Sequence, residues 1–274
     1  MSTALHFRIL GSSSAGNCGL LTTPHTRILI DAGFSGRRIC EMLSQQGLSI
    51  MDIDAIFLTH EHSDHSQGFR GLCKQSHLTW ICNRDTHGAI SHPTKERARW
   101  SHFETGSRFL FKDLEVEAFS IPHDASDPVG YLFSWGGHDL FSPYRSIAWV
   151  LDLGYVTTLV REKIQGADTL VIEANYDNEL LELDSKRPWS VKQRIQSRHG
   201  HLSNQAVLEL LASLQSSRVR EVHLAHVSRD CNTIEAIRRT LAPLFADASL
   251  PFSLQVFNPS THQSEPLTMP HSLL

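Results

Sequence analysis

Thr59-His60-Glu61-His62-Ser63-Asp64-His65-Ser66-Gln67-Gly68 packs three histidines and two acids into the six positions from His60 to His65. Just upstream, 54–58 reads Asp-Ala-Ile-Phe-Leu, and its apolar, β-branched and aromatic residues spell a buried strand. A helix is expected over 66–75. The histidines and acids therefore fall on a loop at the C-terminal end of a strand, where open α/β sheets place their sites. Alternate residues of extended backbone point the same way, so His60 and His62 can converge on one ion. Asp64 and His65 then project towards a neighbouring point. Imidazole and carboxylate suit Zn²⁺, Mn²⁺ or Fe²⁺. The stretch supplies half the ligands of a two-metal site, whose ions lie about 3.5–4 Å apart.

Working outward, the 274 residues are 41% hydrophobic and 20% charged, an ordinary balance for a globular chain. No apolar run reaches the roughly 18 residues of a membrane span. Residues 1–8 lack a charged region followed by an apolar core, so no secretory signal is read there. Cys18, Cys40, Cys73, Cys82 and Cys231 are scattered, with no C-x-x-C spacing, which fits reduced thiols and a cytoplasmic protein. A net charge of −4 gives no global basic field for nucleic acid. The unusual number is 17 histidines, of which His6, His25, His77, His87, His92, His102, His262 and His271 are set aside as ligands.

Along the chain, strands are expected at 5–10, 20–21, 27–31, 78–82, 109–121 (two, joined near Lys112-Asp113), 129–133, 147–152, 167–172, 220–225 and 252–257. Helices are expected at 35–46, 66–75, 156–163, 204–214 (capped by Ser203 or Asn204) and 232–243. The small polar residues of 11–17 read as a loop with exposed backbone N–H groups that could hold a terminal phosphate. Residues 85–100 are polar and carry Lys95, Arg97 and Arg99, and 136–145 suggests a hairpin tip or modest insertion. Periodicity alone gives α/β. The expected organisation is one domain over 1–258 and a loose polar tail over 259–274.

His60, His62, Asp64 and His65 fill the pattern H-x-H-x-D-H, and here the chain resembles the metallo-β-lactamase fold superfamily. Gly-Ser-Ser-Ser-Ala-Gly-Asn-Cys at 11–18 and Leu-Ala-His-Val-Ser-Arg-Asp-Cys-Asn at 224–232 look like its YycJ/WalJ type, bacterial proteins regarded as DNA exonucleases. The resemblance implies a four-layer αββα sandwich. It implies that His60, His62 and His123 hold one metal, that Asp64, His65 and His226 hold the other, and that Asp152 bridges them. His223 sits on the opposite face of its strand from His226, which favours His226. Asp31, at a strand end, is expected to support the site from behind by holding a ligand histidine. Glu173 and His201 match an acid–histidine pair that stands beside the scissile phosphate in related nucleases. Two positions depart from the type: Leu151 where Thr is expected, and Cys231 where Asn is expected.

The ligand types admit zinc and manganese, with iron possible, and the reaction class is metal-assisted hydrolysis through a metal-activated water. The first reading is a phosphodiesterase on nucleic acid, a 5′-directed DNA exonuclease in which His201 protonates the leaving oxygen, Glu173 orients it and Asp64 joins the catalytic group. The basic segment 186–201, with Arg187, Trp189, Lys192, Arg194 and Arg198, could track a phosphate backbone and stack a base. The alternative is a hydrolase of small thioesters, lactones, β-lactams or cyclic phosphodiesters. A regulatory protein with structural metals is disfavoured by the two-metal ligand count, because structural sites are closed and mononuclear.

Overall fold

The computed structural model describes residues 5–93, 95–137, 144–245 and 250–267. The chain forms two compact units, Met1–Ser120 with Ala125–Ser146 and Ile121–Asp124 with Ile147–Leu274.

The first unit opens with β1 (His6–Ser13), β2 (Gly16–Thr22) and β3 (Arg27–Ile30), followed by α1 (Gly36–Ser44). Ser35 caps α1, its side chain accepting from Arg38 N, and Ile39, Met42 and Leu43 form the buried face. Then come β4 (Ala55–Phe57), α2 (Ser63–Ser66), α3 (Phe69–Leu72), β5 (Thr79–Asn83), α4 (Arg84–Ala89) and β6 (Arg99–Phe103). The strands run β1-β2-β3-β4-β5-β6, antiparallel as far as β3 and parallel from β3 to β6. An antiparallel meander of β7 (Arg108–Phe111), β8 (Leu114–Ser120) and β9 (Val129–Trp135) completes the unit. Its aromatic core gathers on Phe57, with Phe111, Tyr131 and Phe133 edge-on at 5.4–5.7 Å between ring centroids. The Tyr131 hydroxyl donates to Leu58 O at 2.6 Å, which ties the meander to the strand end that carries the histidine motif.

Two expectations are corrected here. The loop read at 11–17 is mostly hairpin: β1 and β2 pair through Ser13↔Gly16, leaving Ser14 and Ala15 as the exposed turn. Its backbone groups are spent on the ladder, so no phosphate-holding loop forms there. The helix read at 66–75 is two short helices, because the N–H of Gly68 donates to Ala32 O at 2.7 Å instead of continuing the helical ladder. A Cβ at Gly68 would sit 2.6 Å from Ile39 Cδ1, so the chain bends where only glycine fits. Polar residues 85–100 hold α4 and the start of β6, an edge strand with exposed Arg99, Ser101 and His102.

The second unit contains β10 (Arg145–Val150) from Ile147 onward, α5 (Thr158–Gln165), β11 (Thr169–Glu173), α6 (Asn178–Leu183), α7 (Trp189–Gln196), α8 (Asn204–Ala212), β12 (Glu221–Ala225), α9 (Ile234–Leu241), β13 (Ser253–Asn258) and β14 (Gln263–Pro266). β10, β11, β12 and β13 are parallel neighbours in that order, and β14 returns antiparallel on β13. β11 and β12 are buried on both faces apart from their first residues and His223, which explains their apolar runs. Thr157, Asp177, Ser203 and Thr233 cap α5, α6, α8 and α9 through side-chain oxygens. The stretch expected as a loose tail carries β14, and Leu267 beyond it is buried. Its polar sequence belongs to an edge strand. The hairpin tip read at 136–145 falls largely on 138–143, outside the described residues. Among the described residues, no helix is long and apolar enough to cross a membrane.

Candidate functional site

In both units the chemistry-bearing residues stand at or just past the C-terminal ends of parallel strands: Asp31 after β3, His60 after β4, Asp152 after β10, Glu173 at the end of β11 and His226 after β12. Asp31, Asp152 and His226 have positive φ, at 61°, 55° and 50°. Side chains other than glycine rarely hold that conformation, and it concentrates at functional sites. Here each left-handed residue turns the chain sharply off its strand.

In the first unit a single carboxylate orients two histidines. Asp31 Oδ1 accepts from the Thr59 N–H at 2.8 Å, and Asp31 Oδ2 lies 2.8 Å from His65 Nδ1. The Thr59 hydroxyl is 3.0 Å from both Asp31 Oδ1 and His60 Nδ1. Both rings thus have Nδ1 engaged by protein, which leaves Nε2 for other work. His62 is the N-cap residue of α2, so Asp64 and His65 sit in a helical turn and not in a loop, as the sequence had suggested. The His60 ring lies 4.7 Å from that of His62 and 4.3 Å from that of His65, between centroids. His65 Nε2 is 3.7 Å from Asp64 Oδ2 and 3.1 Å from Asn17 Nδ2. A ligand role for that nitrogen requires the Asn17 amide to give way. Gly33 makes this crowding possible, since a Cβ there would be 1.7 Å from Asp64 O and 2.5 Å from Asn17 N. Glu61 is occupied elsewhere, its Oε1 accepting from Ser126 N and Oγ at 2.9 and 2.8 Å.

In the second unit Glu173 is the hub. It is fully buried, and its Oε1 accepts from Leu153 N at 2.6 Å and Leu202 N at 2.9 Å. Its Oε2 lies 2.9 Å from His201 Nδ1 and 3.1 Å from His226 Nδ1. Burial pushes the Glu173 carboxyl up, but the charge of His201 and the hydrogen bonds from His201 and His226 outweigh it and hold the pKa below the ordinary value. The reciprocal effect falls on His201. Burial opposes its charged form, yet the Glu173 and Asp152 carboxylates lift its pKa to about 10. Asp152 Oδ1 is 3.2 Å from His201 Nδ1 and 3.3 Å from His226 Nδ1. His123 Nδ1 lies 3.1 Å from Gly200 O, and burial lowers that ring's pKa, which favours the neutral ligand form. Asp152, Glu173, His201 and His226 each offer a ligand atom, all within 4.8 Å of one another.

This donor set fits a divalent metal. It is made of imidazole and carboxylate only, and each of His60, His65, His123 and His226 has Nδ1 set against an oxygen. That is how proteins fix the tautomer and orientation of metal-binding histidines. Thr59, Asn17 and Asn175 were missed by sequence reasoning. Asn175 Nδ2 lies 3.2 Å from His226 Nδ1 and donates to His226 O at 3.0 Å. A lone Asn two residues past a strand-end acid is the sole trace it leaves in the sequence.

The segment expected to bind nucleic acid is largely neutralised. Arg187 pairs with Asp184 at 2.8 Å and Asp230 at 3.1 Å, and Arg194 pairs with Asp124. Lys192 corrects its assignment outright: it is buried, and its ammonium donates to Glu182 O at 2.8 Å. Trp189 is 63% exposed at the start of α7, and Arg198 lies over the Tyr155 ring. Cys231 is buried, burial raises its thiol pKa, and Arg187 Nη1 lies 3.4 Å from its sulfur.

Residues 26–224 match the Beta-lactamase superfamily domain. The chain is 34% identical to Exodeoxyribonuclease YycJ of Bacillus anthracis, over 89% of this chain and 90% of that protein. It is 33% identical to Exodeoxyribonuclease WalJ of Streptococcus pneumoniae serotype 2, over 96% and 97%. Among solved structures it resembles the metallo-beta-lactamase fold protein YhfI of Bacillus subtilis, with a TM-score of 0.65 and 14% identity over 95% of this chain and 98% of that one. That last likeness speaks to fold alone, and the fold is the metallo-β-lactamase fold expected from the histidine motif.

Proposed function

The chain belongs to the beta-lactamase superfamily, and from that membership we propose that it is a divalent-metal-dependent phosphodiesterase that shortens DNA from its 5′ end. The observation that carries this reading is the grip of Glu173 on Nδ1 of both His201 and His226. It prepares one imidazole as a ligand and the other as an acid. His226 has its Nδ1 set against Glu173 Oε2, an arrangement that orients its Nε2 towards a metal. The Glu173 carboxylate beside His201 Nδ1 favours the charged ring, which can give a proton to a leaving oxygen. Glu173 is fully buried, so it acts as a positioning residue for both rings and does not itself touch substrate. The names and near-full coverage of the two exodeoxyribonucleases support DNA as the substrate.

The proposed ligands are His60, His62, Asp64 and His65 in the first unit and His123, Asp152 and His226 in the second, with Asp31 orienting His65. Seven such ligands suit two ions, and zinc and manganese both tolerate this donor set. Bound divalent ions supply an activated nucleophile and neutralise charge on the phosphate. Every other contribution comes from the chain: Asp31 and Glu173 set the rings, and His201 delivers a proton. Cys18, Cys40, Cys73, Cys82 and Cys231 are all free thiols, which suits work in the reducing cytoplasm.

The test is cleavage of end-labelled, 5′-phosphorylated single- and double-stranded DNA with added Mn²⁺, with His62→Ala as the blank. Stepwise loss of nucleotides from the 5′ end by the wild-type protein alone is the expected result. Metal-loaded wild-type protein that leaves both DNAs intact would overturn the reading.

A further inference from the structure

Arg198 lies over the Tyr155 ring, its guanidinium carbon 4.3 Å from the ring centroid, and both residues are exposed. Tyr155 stands three residues after Asp152, and Arg198 three residues before His201. The stack is therefore built from the two loops that deliver the second unit's carboxylate and its proton donor.

The loops are locked together beneath it. The Gly154 N–H donates to Pro122 O at 2.9 Å, next to His123. A Cβ on Gly154 would fall 2.2 Å from Arg198 O, so the two backbones touch with no room for a side chain. The Asp124 N–H donates to His199 O at 3.1 Å, and Gly200 O faces His123 Nδ1 at the same distance. Arg198 is thus anchored to the segments that carry Asp152, His123 and His201.

Its charge is also in a different state from its neighbours'. Lys186 is paired with Asp230, Arg187 with Asp184 and Asp230, Lys192 with Glu182 O, and Arg194 with Asp124. Among the described residues no carboxylate pairs with Arg198, which sits against the face of Tyr155. Stacking holds a guanidinium by its plane and leaves its in-plane N–H groups free for the two oxygens of a phosphate. Three residues of chain reach about 10 Å at most, so Arg198 and His201 are carried on one short stretch of backbone.

We propose that Arg198, stacked on Tyr155, is a specificity-determining clamp that grips a phosphate of the nucleic-acid strand next to the one being cut. This rests on the nuclease reading. It replaces a broad basic track over 186–201 with one engineered contact, and it makes the enzyme prefer a polyphosphodiester to an isolated diester.

The experiment compares Mn²⁺-loaded wild-type, Arg198→Ala, Arg198→Lys and Tyr155→Leu proteins on 5′-labelled DNA and on bis(4-nitrophenyl) phosphate, a diester with no neighbouring phosphate. Arg198→Ala is expected to raise KM for DNA about ten- to a hundredfold, the size of a charge-assisted contact, with a much smaller effect on kcat. Its loss on DNA should exceed its loss on the small diester at least tenfold. Arg198→Lys should recover only part, since an ammonium is a point charge, and Tyr155→Leu should lower the DNA preference in the same direction. An unchanged KM for DNA, an equal loss on both substrates, or a variant that loses its metal would each overturn the clamp. Wild-type protein that cleaves the diester and spares DNA would overturn the nuclease reading, and the clamp with it.

Discussion

Asp31 Oδ2 lies 2.8 Å from His65 Nδ1, with both side chains fully buried, and the other oxygen of the same carboxylate takes the Thr59 N–H. One acid, set in a left-handed conformation at the end of β3, therefore fixes the start of the histidine motif and the ring at its far end. Asp31→Asn keeps the size and the tolerance for positive φ but loses the charge. Metal affinity should fall roughly 10- to 100-fold, the usual effect of removing such a partner. Competition with a chromophoric chelator reads this directly. Wild-type affinity in the variant would mean that the carboxylate holds the fold and not the ligand.

His226 offers a way to separate backbone strain from chemistry. Its φ is 50°, which costs an ordinary L-residue roughly 1–2 kcal/mol and glycine almost nothing. Both His226→Ala and His226→Gly lose the imidazole. If the left-handed turn is real strain, the glycine variant should be more stable than the alanine variant by about 1 kcal/mol in metal-free thermal unfolding. Equal midpoints would show that the turn relaxes once the ring is gone.

Asp184 gives a pH signature away from the metal residues. The hydrogen bond from Arg187, helped by the Lys186 N–H, brings its pKa down to about 2. A depressed carboxyl stabilises the fold above its unfolded pKa of about 3.9, and that contribution is lost as pH falls through about 2. Wild-type protein should therefore be more stable than Asp184→Asn at pH 5, and the two should converge as the solution is acidified towards pH 2. Unfolding midpoints followed across that range check the sign. A gap that widens on acidification would contradict it.

The legible parts of the sequence were those where one residue type has one use. The resemblance to the family pointed to Asp31, His60, Asp152, Glu173 and His226, and all five stand at or just past the ends of strands. Edge elements were not legible: β6 and β14 expose much of their surface, so 85–100 read only as polar and 259–274 as a tail. Nor were the polar supports. Thr59, Asn17 and Asn175 act through a single hydrogen-bonding group each, and periodicity carries no record of that. Lys192 shows a third kind of failure, since a run of positive charges reveals sign but not partners, and this ammonium is spent on a helix carbonyl.

Glu173 and His201 carry the sharpest distinction between holding and reacting. Oε2 of Glu173 serves His201 at 2.9 Å and His226 at 3.1 Å, so Glu173→Gln should damage two functions together. It removes the charge that keeps His201 protonated and the partner that sets His226. Metal affinity should fall, and the basic limb of the pH–rate profile should move to lower pH. His201→Ala touches only the first function: Glu173 keeps His226, so metal content should stay near that of the wild type. Turnover of DNA should drop by roughly two to four orders of magnitude, the range expected for loss of a general acid. The loss should shrink for substrates whose leaving group needs no proton, such as a 4-nitrophenyl ester of a nucleotide. Measured side by side, metal content and the leaving-group dependence decide the matter. A His201 variant equally impaired on good and poor leaving groups would assign the ring to binding and leave the proton to another donor.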